Sequence, residues 1–399
     1  MLAGLCFLGW GLLIVRRLET HWWLPVYLLL VANPFMLDFF SLARGYGLAL
    51  AFTLGSLHCL LDYVESRQLK PYAAALLLAV LAVLSSFATL YWWCALWLVF
   101  NLLHVTRAGR ARGLTLRQWG LGNALHLATA ALLGGMLYLP LQRLSSASAF
   151  YLGGGTGLWA DTIPSLIGES LHKAAYKPWA EPLMMALVAI VLVASVVVIV
   201  RNGRQQSWEL RQVHLLITTG LLCGIGLVII VHHWLLDARF MIHRSALFLA
   251  PLFMVNLAWL VDHLRETRLG RQVAFTLIVT ISAGWAVHTV ITTSTDRFLS
   301  WGYDQHTRDA MVHIAEREIA QGTPIRLGTH WLFEPTANYY RHVLGLDQLR
   351  PITRDSLTLE CDYLYVPLDD FTPAVAERYS ALKTFPTTNT VLAVSKKIQ

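Results

Sequence analysis

Charge is scarce in this sequence. Asp, Glu, Lys and Arg make up 14% of its 399 residues, where a soluble domain carries about a quarter. Cysteine is thin too. Of Cys6, Cys59, Cys94, Cys223 and Cys361, four fall inside apolar runs. No CxxC or Cys/His ligand spacing occurs, which excludes a disulfide framework and a structural zinc site. The glycines at 153, 154, 155 and 157 are not followed by Lys-Ser/Thr, so they make no phosphate loop. There is no Ser-His-Asp ordering. There is no chain of acids inside the apolar runs, as a proton-coupled pump would need. No basic stripe is interleaved with aromatics on a polar surface, so no nucleic-acid partner is expected.

Hydrophobic residues reach 56%, with a mean hydropathy of +0.53. Apolar runs recur from the start to about Thr293 and then stop. The expected fold is an α-helical polytopic membrane protein over 1–293, followed by a small α/β domain over 294–399. Ten apolar segments are readable: 2–15, 22–36, 45–63, 71–86, 88–104, 119–140, 182–200, 213–235, 244–262 and 273–293. They predict about ten transmembrane helices. Ser85-Ser86 is read as a tight turn, because an unbroken run of that length would overrun a bilayer.

The basic excess belongs to the apolar part. Residues 1–293 hold 20 Lys+Arg against 11 Asp+Glu, and residues 294–399 hold 11 against 13. The connections at 16–21, 64–70, 105–118, 201–212 and 263–272 carry fourteen cations; the alternate set carries six. The positive-inside rule makes the first set cytoplasmic. The polar tail is then expected outside the cytoplasm, and the first apolar segment runs from outside to inside. That orientation leads us to expect a further portion ahead of residue 1.

The connection 141–181 is long, and long loops are often functional. Ile163, Leu166, Ile167, Leu171 and Ala174 recur at helical spacing, with Glu169 and Lys173 opposite and Trp159 and Trp179 flanking. This predicts a short helix lying in the membrane interface. In the tail, strands are expected at 324–328, 361–366 and 390–394. Helices are expected near 304–320, where Asp304 can cap, and near 335–343 and 372–380.

Charges that break the positive-inside rule need a reason. Arg44, Arg239 and Arg244 fall on the outer side, each close to a span. An arginine fork matches phosphate geometry and stays charged at any working pH. The alternative is snorkelling to lipid headgroups. Arg44 stands out because Asp38 and Tyr46 accompany it in NPFMLDFFSLARGYG. Asp38 reads either as a general base or metal ligand, or as a structural partner of Arg44. Asp161, Glu169 and Asp237 are weaker acids of the same kind. Among the histidines, His58 with Asp62 reads as packing. His126 reads as a contact between helices. His232 and His233 point different ways, and His243 beside Arg244 is the one to test.

Three stretches, in order, resemble the GT-C membrane glycosyltransferases. They are Pro34…Asp38…Ala43-Arg44-Gly45-Tyr46-Gly47, HRSALFLAPLF at 243–253, and the tail with WGYDQHTRDAM followed by IRLGTHWLFEPTANYY. The similarity runs nearly end to end. It is nearest to the group of protein O-mannosyltransferases, aminoarabinose transferases and rhizobial core-sugar transferases. The resemblance implies a GT-C-like transmembrane region in the cell membrane, the inner one in a bacterium. It implies sugar transfer outside the cytoplasm, from a polyprenyl-phosphate donor to a lipid, glycan or protein acceptor. Arg44 and Tyr46 would line the donor phosphate pocket, with Arg244 as a second phosphate contact, beside Arg239 and His243. A carboxylate would deprotonate the acceptor hydroxyl, and a divalent cation (magnesium or manganese) would help. One departure stands out. The family's main catalytic acid lies in the first outer loop, after its first span, and this sequence holds no counterpart. Asp38 is the acid left in its stead. The other reading is a non-catalytic glycolipid-binding subunit of an envelope assembly system. A transporter ranks last, since no internal repeat is visible.

Overall fold

The computed structural model describes residues 2–18, 22–41, 45–146, 153–172, 174–203, 208–265, 268–293, 299–318, 324–354 and 360–397. It is mostly helical, with one small sheet near the C-terminus. The chain divides into two units, 1–293 and 294–399.

Each of the ten apolar stretches holds a helix, and α7 and α9 fall between them. In order the helices are α1 (Leu2–Val15), α2 (Trp23–Val31), α3 (Pro34–Ser41), α4 (Gly45–Ser66), α5 (Leu69–Ser85), α6 (Leu90–Val105), the short α7 (Arg107–Ala111), α8 (Leu116–Ser146), α9 (Ile163–Ser170), α10 (Lys177–Gly203), α11 (Leu210–Leu236), α12 (Leu249–Leu264) and α13 (Arg268–Thr292). Among the described residues, six helices are long and apolar enough to cross a membrane. They are Gly45–Ser66, Phe87–Val105, Leu116–Leu144, Lys177–Gly203, Leu210–Leu236 and Gly270–Thr292. At 1.5 Å per residue the two 27-residue helices reach about 40 Å. α1, α5 and α12 are apolar but shorter. α1 has 14 residues, about 21 Å, against a hydrocarbon core of about 30 Å.

The stretch read as one segment over 22–36 is two helices bent by 66°. Pro34 cannot continue the α2 ladder, and the Asn33 side chain accepts from the Met36 N–H at 3.3 Å to restart it. The polar passage after it is itself helical as α3. The break at Ser85-Ser86 is present. α5 ends at Ser85, Ser86 is extended, and a single tight turn over Phe87–Thr89 leads into α6.

Polar side chains inside the helical unit are used as cross-links. Asn256 of α12 donates to Ser195 Oγ of α10 at 3.1 Å and accepts from Thr218 and Thr219 of α11 at 2.9 and 2.8 Å. Hydroxyl–imidazole pairs join other helices: Tyr63 with His104 at 3.1 Å, Tyr72 with His126 at 3.5 Å and Tyr91 with His232 at 2.7 Å. Away from water such bonds are worth about 1 kcal/mol each. His126 is therefore a contact between helices. His232 and His233 diverge, the latter meeting the Ala238 carbonyl at 2.8 Å.

His58 and Asp62 do more than fill space. Arg17, at the end of α1, is paired with both Asp62 and Glu65 and lies 3.1 Å from His58 Nδ1. Glu65 also meets His214 of α11 at 3.1 Å, and the His214 ring rests on Trp259 of α12. One charged cluster thus fastens α1, α4 and α11.

The tail packs three helices, α14 (Thr307–Glu318), α15 (Glu334–Val343) and α16 (Pro373–Arg378), with four strands: β1 (Leu327–Thr329), β2 (Tyr363–Pro367), β3 (Tyr379–Phe385) and β4 (Thr390–Ser395). The sheet order is β1-β2-β4-β3, with β1 parallel to β2 and the other neighbours antiparallel. β3 falls partly where a helix was expected. Helix α16 stops at Arg378, and the chain turns into a hairpin with β4 because Tyr379 and Phe385 fill the two faces of the sheet.

Asp304 does not open α14 as a backbone cap. Its two carboxylate oxygens accept from the hydroxyls of Thr307 and Thr336, tying α14 to α15. Burial raises its pKa above the ordinary aspartate value, and the two threonine bonds offset only part of that. A raised carboxylate pKa means that the folded state pays for the charge at neutral pH and not below the unfolded pKa. Asp304→Asn is therefore expected to slow amide exchange of α14 and α15 at pH 7, with the gain shrinking as pH falls toward 4. Hydrogen-exchange mass spectrometry of the full chain measures this, and equal protection at pH 7 would contradict it.

Candidate functional site

Three connections converge around α9. Before it, Leu158–Thr162 form one wide helical turn. The half-buried Asp161 carboxylate takes the N–H groups of Gly157 and Thr156 at 2.9 and 2.6 Å, which hold its pKa below the usual carboxylate value. Gly154 exchanges two backbone hydrogen bonds with Phe240, both 2.9 Å. A Cβ on Gly154 would run into Asp161, and one on Gly153 into Arg239. The glycine run is thus there for close approach, and Arg239 stacks its stem against it.

α9 is two-faced. Ile163, Leu166, Ile167 and Ser170 border a cavity of about 340 Å³. Its other walls come from α10 and α11, the start of α12, Trp159 and Trp285. Nearly all of this lining is apolar. The polar exceptions are Thr162 and the pair Asn33 and Ser170, whose side chains are joined at 3.1 Å. The opposite face of α9 carries Ser165 and Glu169, one turn apart. Ser165 Oγ accepts the His243 N–H at 2.9 Å, and Glu169 Oε1 lies 3.1 Å from His243 Nδ1.

The turn His243–Ala246 brings the next candidate into place. Arg244 lies over the Tyr46 ring, its guanidinium carbon 5.9 Å from the ring centre. Tyr46 in turn meets Phe39 edge-on at 5.1 Å. Tyr46, Arg244 and His243 are therefore brought together, from positions some two hundred residues apart. Asp38 is half-buried on α3, which packs on both α4 and α9. Arg44 lies outside the described residues, as does Lys173, so the Asp38–Arg44 pairing falls there too. Arg239 stands at the Gly154–Phe240 bridge, on the same connection as Arg244.

The short helix expected in the connection 141–181 is present as Ile163–Ser170, ending before Leu171 and Ala174. Beyond it, His172 is buried, and its pKa is pushed down to about 4, first by burial and then by the charge of His288. His288 is itself held between the Tyr176 hydroxyl and the Ser170 carbonyl, the latter at 2.8 Å.

Glu169, Ser165 and His172 were underrated by the sequence. The available signal was Ser165 and Glu169 at i,i+4 on the face opposite Leu166 and Ile167. Nothing local shows that His243 sits across from them. Among the described residues no three His, Cys, Asp or Glu side chains are grouped to hold a metal ion.

No protein-family model matches the chain, and no curated protein matches it significantly.

Proposed function

We propose that this chain is a polytopic membrane glycosyltransferase. It takes a sugar from a polyprenyl-phosphate donor and passes it to a lipid, glycan or protein acceptor on the outer face of the membrane. The observation that carries the reading is one juxtaposition. An apolar cavity lies on one side of α9, and Arg244 over Tyr46 follows directly from the residue held on the other side. An amphiphile with a long hydrocarbon chain and a single phosphate has that division of chemistry. Apolar walls favour the chain at about 25 cal/mol per Å² removed from water. The guanidinium offers a planar, permanently charged fork to the phosphate. The charge asymmetry of the connections supports a reading with this end of the helices, and the tail unit, outside the cytoplasm. The shorter helices α1, α5 and α12 then complete the set of about ten spans, with the bent α2–α3 pair among them.

A glycolipid-binding subunit without catalysis would use the same cavity, so turnover decides between the two. The full chain in detergent micelles is mixed with synthetic polyprenyl-phosphate hexoses and pentoses and with membrane lipid extract as acceptor. Release of polyprenyl phosphate is followed by mass spectrometry. Release that depends on protein and acceptor is the expected result. Tight binding of polyprenyl phosphate with no release from any donor would favour the binding subunit.

A further inference from the structure

Backbone strain gathers beside α9. Among the described residues, five non-glycines hold positive φ: Arg67, His172, Asp237, His243 and Asn389. Three of the five lie in two of the connections that meet at α9. The left-handed region is uncommon for any residue with a side chain, histidine included, and is held where the surroundings fix it. At His243, with φ +50°, the surroundings are specific. Ser165 holds the backbone N–H, and Glu169 stands at Nδ1. The side chain is still 52% exposed, so the rest of the ring is open. The strain aims an imidazole that is anchored on one nitrogen and accessible elsewhere.

We infer that Glu169 and His243 are the proton acceptor of the transfer reaction, the imidazole taking the proton of the acceptor hydroxyl at Nε2. This rests on the glycosyltransferase reading above. The step balances within the three partners. The acceptor oxygen bonds to the anomeric carbon, and the bond from that carbon to the phosphate oxygen breaks. Its electron pair leaves with polyprenyl phosphate, and the hydroxyl proton moves to Nε2. Glu169 fixes the tautomer with Nδ1 protonated, which leaves the lone pair on Nε2. It then offsets the charge that develops on the ring. His243 and Arg244 are neighbours that diverge, one toward α9 and one toward Tyr46. The proton acceptor thus stands one residue from the phosphate contact, as an attack on the sugar between them requires. Among the described residues, the other ionisable groups on the elements around the pair are His172 just past α9, Lys177, whose Nζ lies against Gly168 beside Glu169, His288 of α13, Asp161 before α9, Asp38 on α3, Arg239 on the same connection as His243, and Arg244.

The test uses the full chain in detergent micelles, with the donor panel and acceptor extract above. Binding of polyprenyl phosphate is read in parallel from tryptophan fluorescence, since Trp159 and Trp285 line the cavity. His243→Ala and Glu169→Gln are expected to lower turnover about 100-fold or more, with polyprenyl phosphate affinity within about threefold of the unaltered chain. Added imidazole restores part of the His243→Ala activity, and Glu169→Gln shifts the acid limb of the rate profile. Both variants turning over normally would overturn the pair and leave the transferase reading standing. Loss of turnover with no imidazole rescue and unchanged pH limbs would reduce the pair to a structural contact. An unaltered chain that binds polyprenyl phosphate but releases none from any donor would remove the transferase reading and the pair with it.

Discussion

Arg244→Ala is expected to weaken polyprenyl phosphate binding about 10- to 100-fold. A hydrogen bond to a charged group is worth roughly 1.5–3 kcal/mol, and 1.4 kcal/mol is a factor of ten. The loss belongs to the headgroup alone. The corresponding uncharged polyprenol, which meets only the cavity walls, should bind the variant and the unaltered chain equally. Arg244→Lys keeps the charge and loses the planar fork, so it should recover only part of the affinity. The Tyr46 ring adds to the requirement for a flat cation, since the guanidinium lies over it at 5.9 Å. Affinity should also fall less steeply with salt once the arginine is gone. Tryptophan fluorescence titrations with both lipids, at two ionic strengths, read all of this. Equal losses for phosphate and alcohol would place the effect in the fold of the cavity instead of the headgroup contact.

Gly45→Ala is expected to be among the most damaging single methyls in the helical unit. Gly45 opens α4 directly against the Ser85 carbonyl at the end of α5, and a Cβ there would overlap that oxygen deeply. The atom in the way is backbone, on the last residue of α5, so no side chain can swing aside. Gly47 is packed similarly, with a Cβ only 2.9 Å from the Phe39 carbonyl. Overpacking of this kind costs about 1–3 kcal/mol, occasionally more. α4 and α5 form one of the most extensive helix pairs in the molecule, so the damage should spread. The expected result is a lowered unfolding temperature in detergent and a smaller monodisperse fraction on size exclusion. Gly134→Ala is the control. A Cβ at Gly134 meets nothing within 4 Å, and alanine gains about 1 kcal/mol over glycine in a helix interior. If both variants behaved alike, the close approach of α4 to α5 would be wrong.

These two sites show what was legible and what was not. Arg244 stood out in the sequence as a charge on the outer side, and Tyr46, Gly45 and Gly47 as part of the stretch that carries the resemblance; the packing role of the glycines was not readable. Apolar runs located the helices, because hydrophobic length needs no partner to be visible. α9 was readable from the spacing of Ile163, Leu166 and Ile167 for the same reason. The polar partnerships were not. Arg17 meets Asp62 and Glu65 across some 45 residues, and Glu169 meets His243 across a gap that holds two long helices. Nothing periodic announces such a pair. α3 was hidden because Asp38 and Ser41 make its stretch look like a polar connection. In the sheet, β3 was hidden by Ala381 and Leu382, which suit a helix as well as a strand; its pairing with β4 decides the matter.

The two faces of α9 have a mechanical meaning. Eight residues form both a wall of the apolar space and the rail on which His243 rests. A helix of two turns is stiff on this scale, so it cannot shift one face and leave the other still. Whatever swells the cavity displaces Ser165 and Glu169 by a comparable distance. Filling the greasy side and setting the angle of an imidazole on the wet side are thus a single degree of freedom, and chain length at one end becomes geometry at the other.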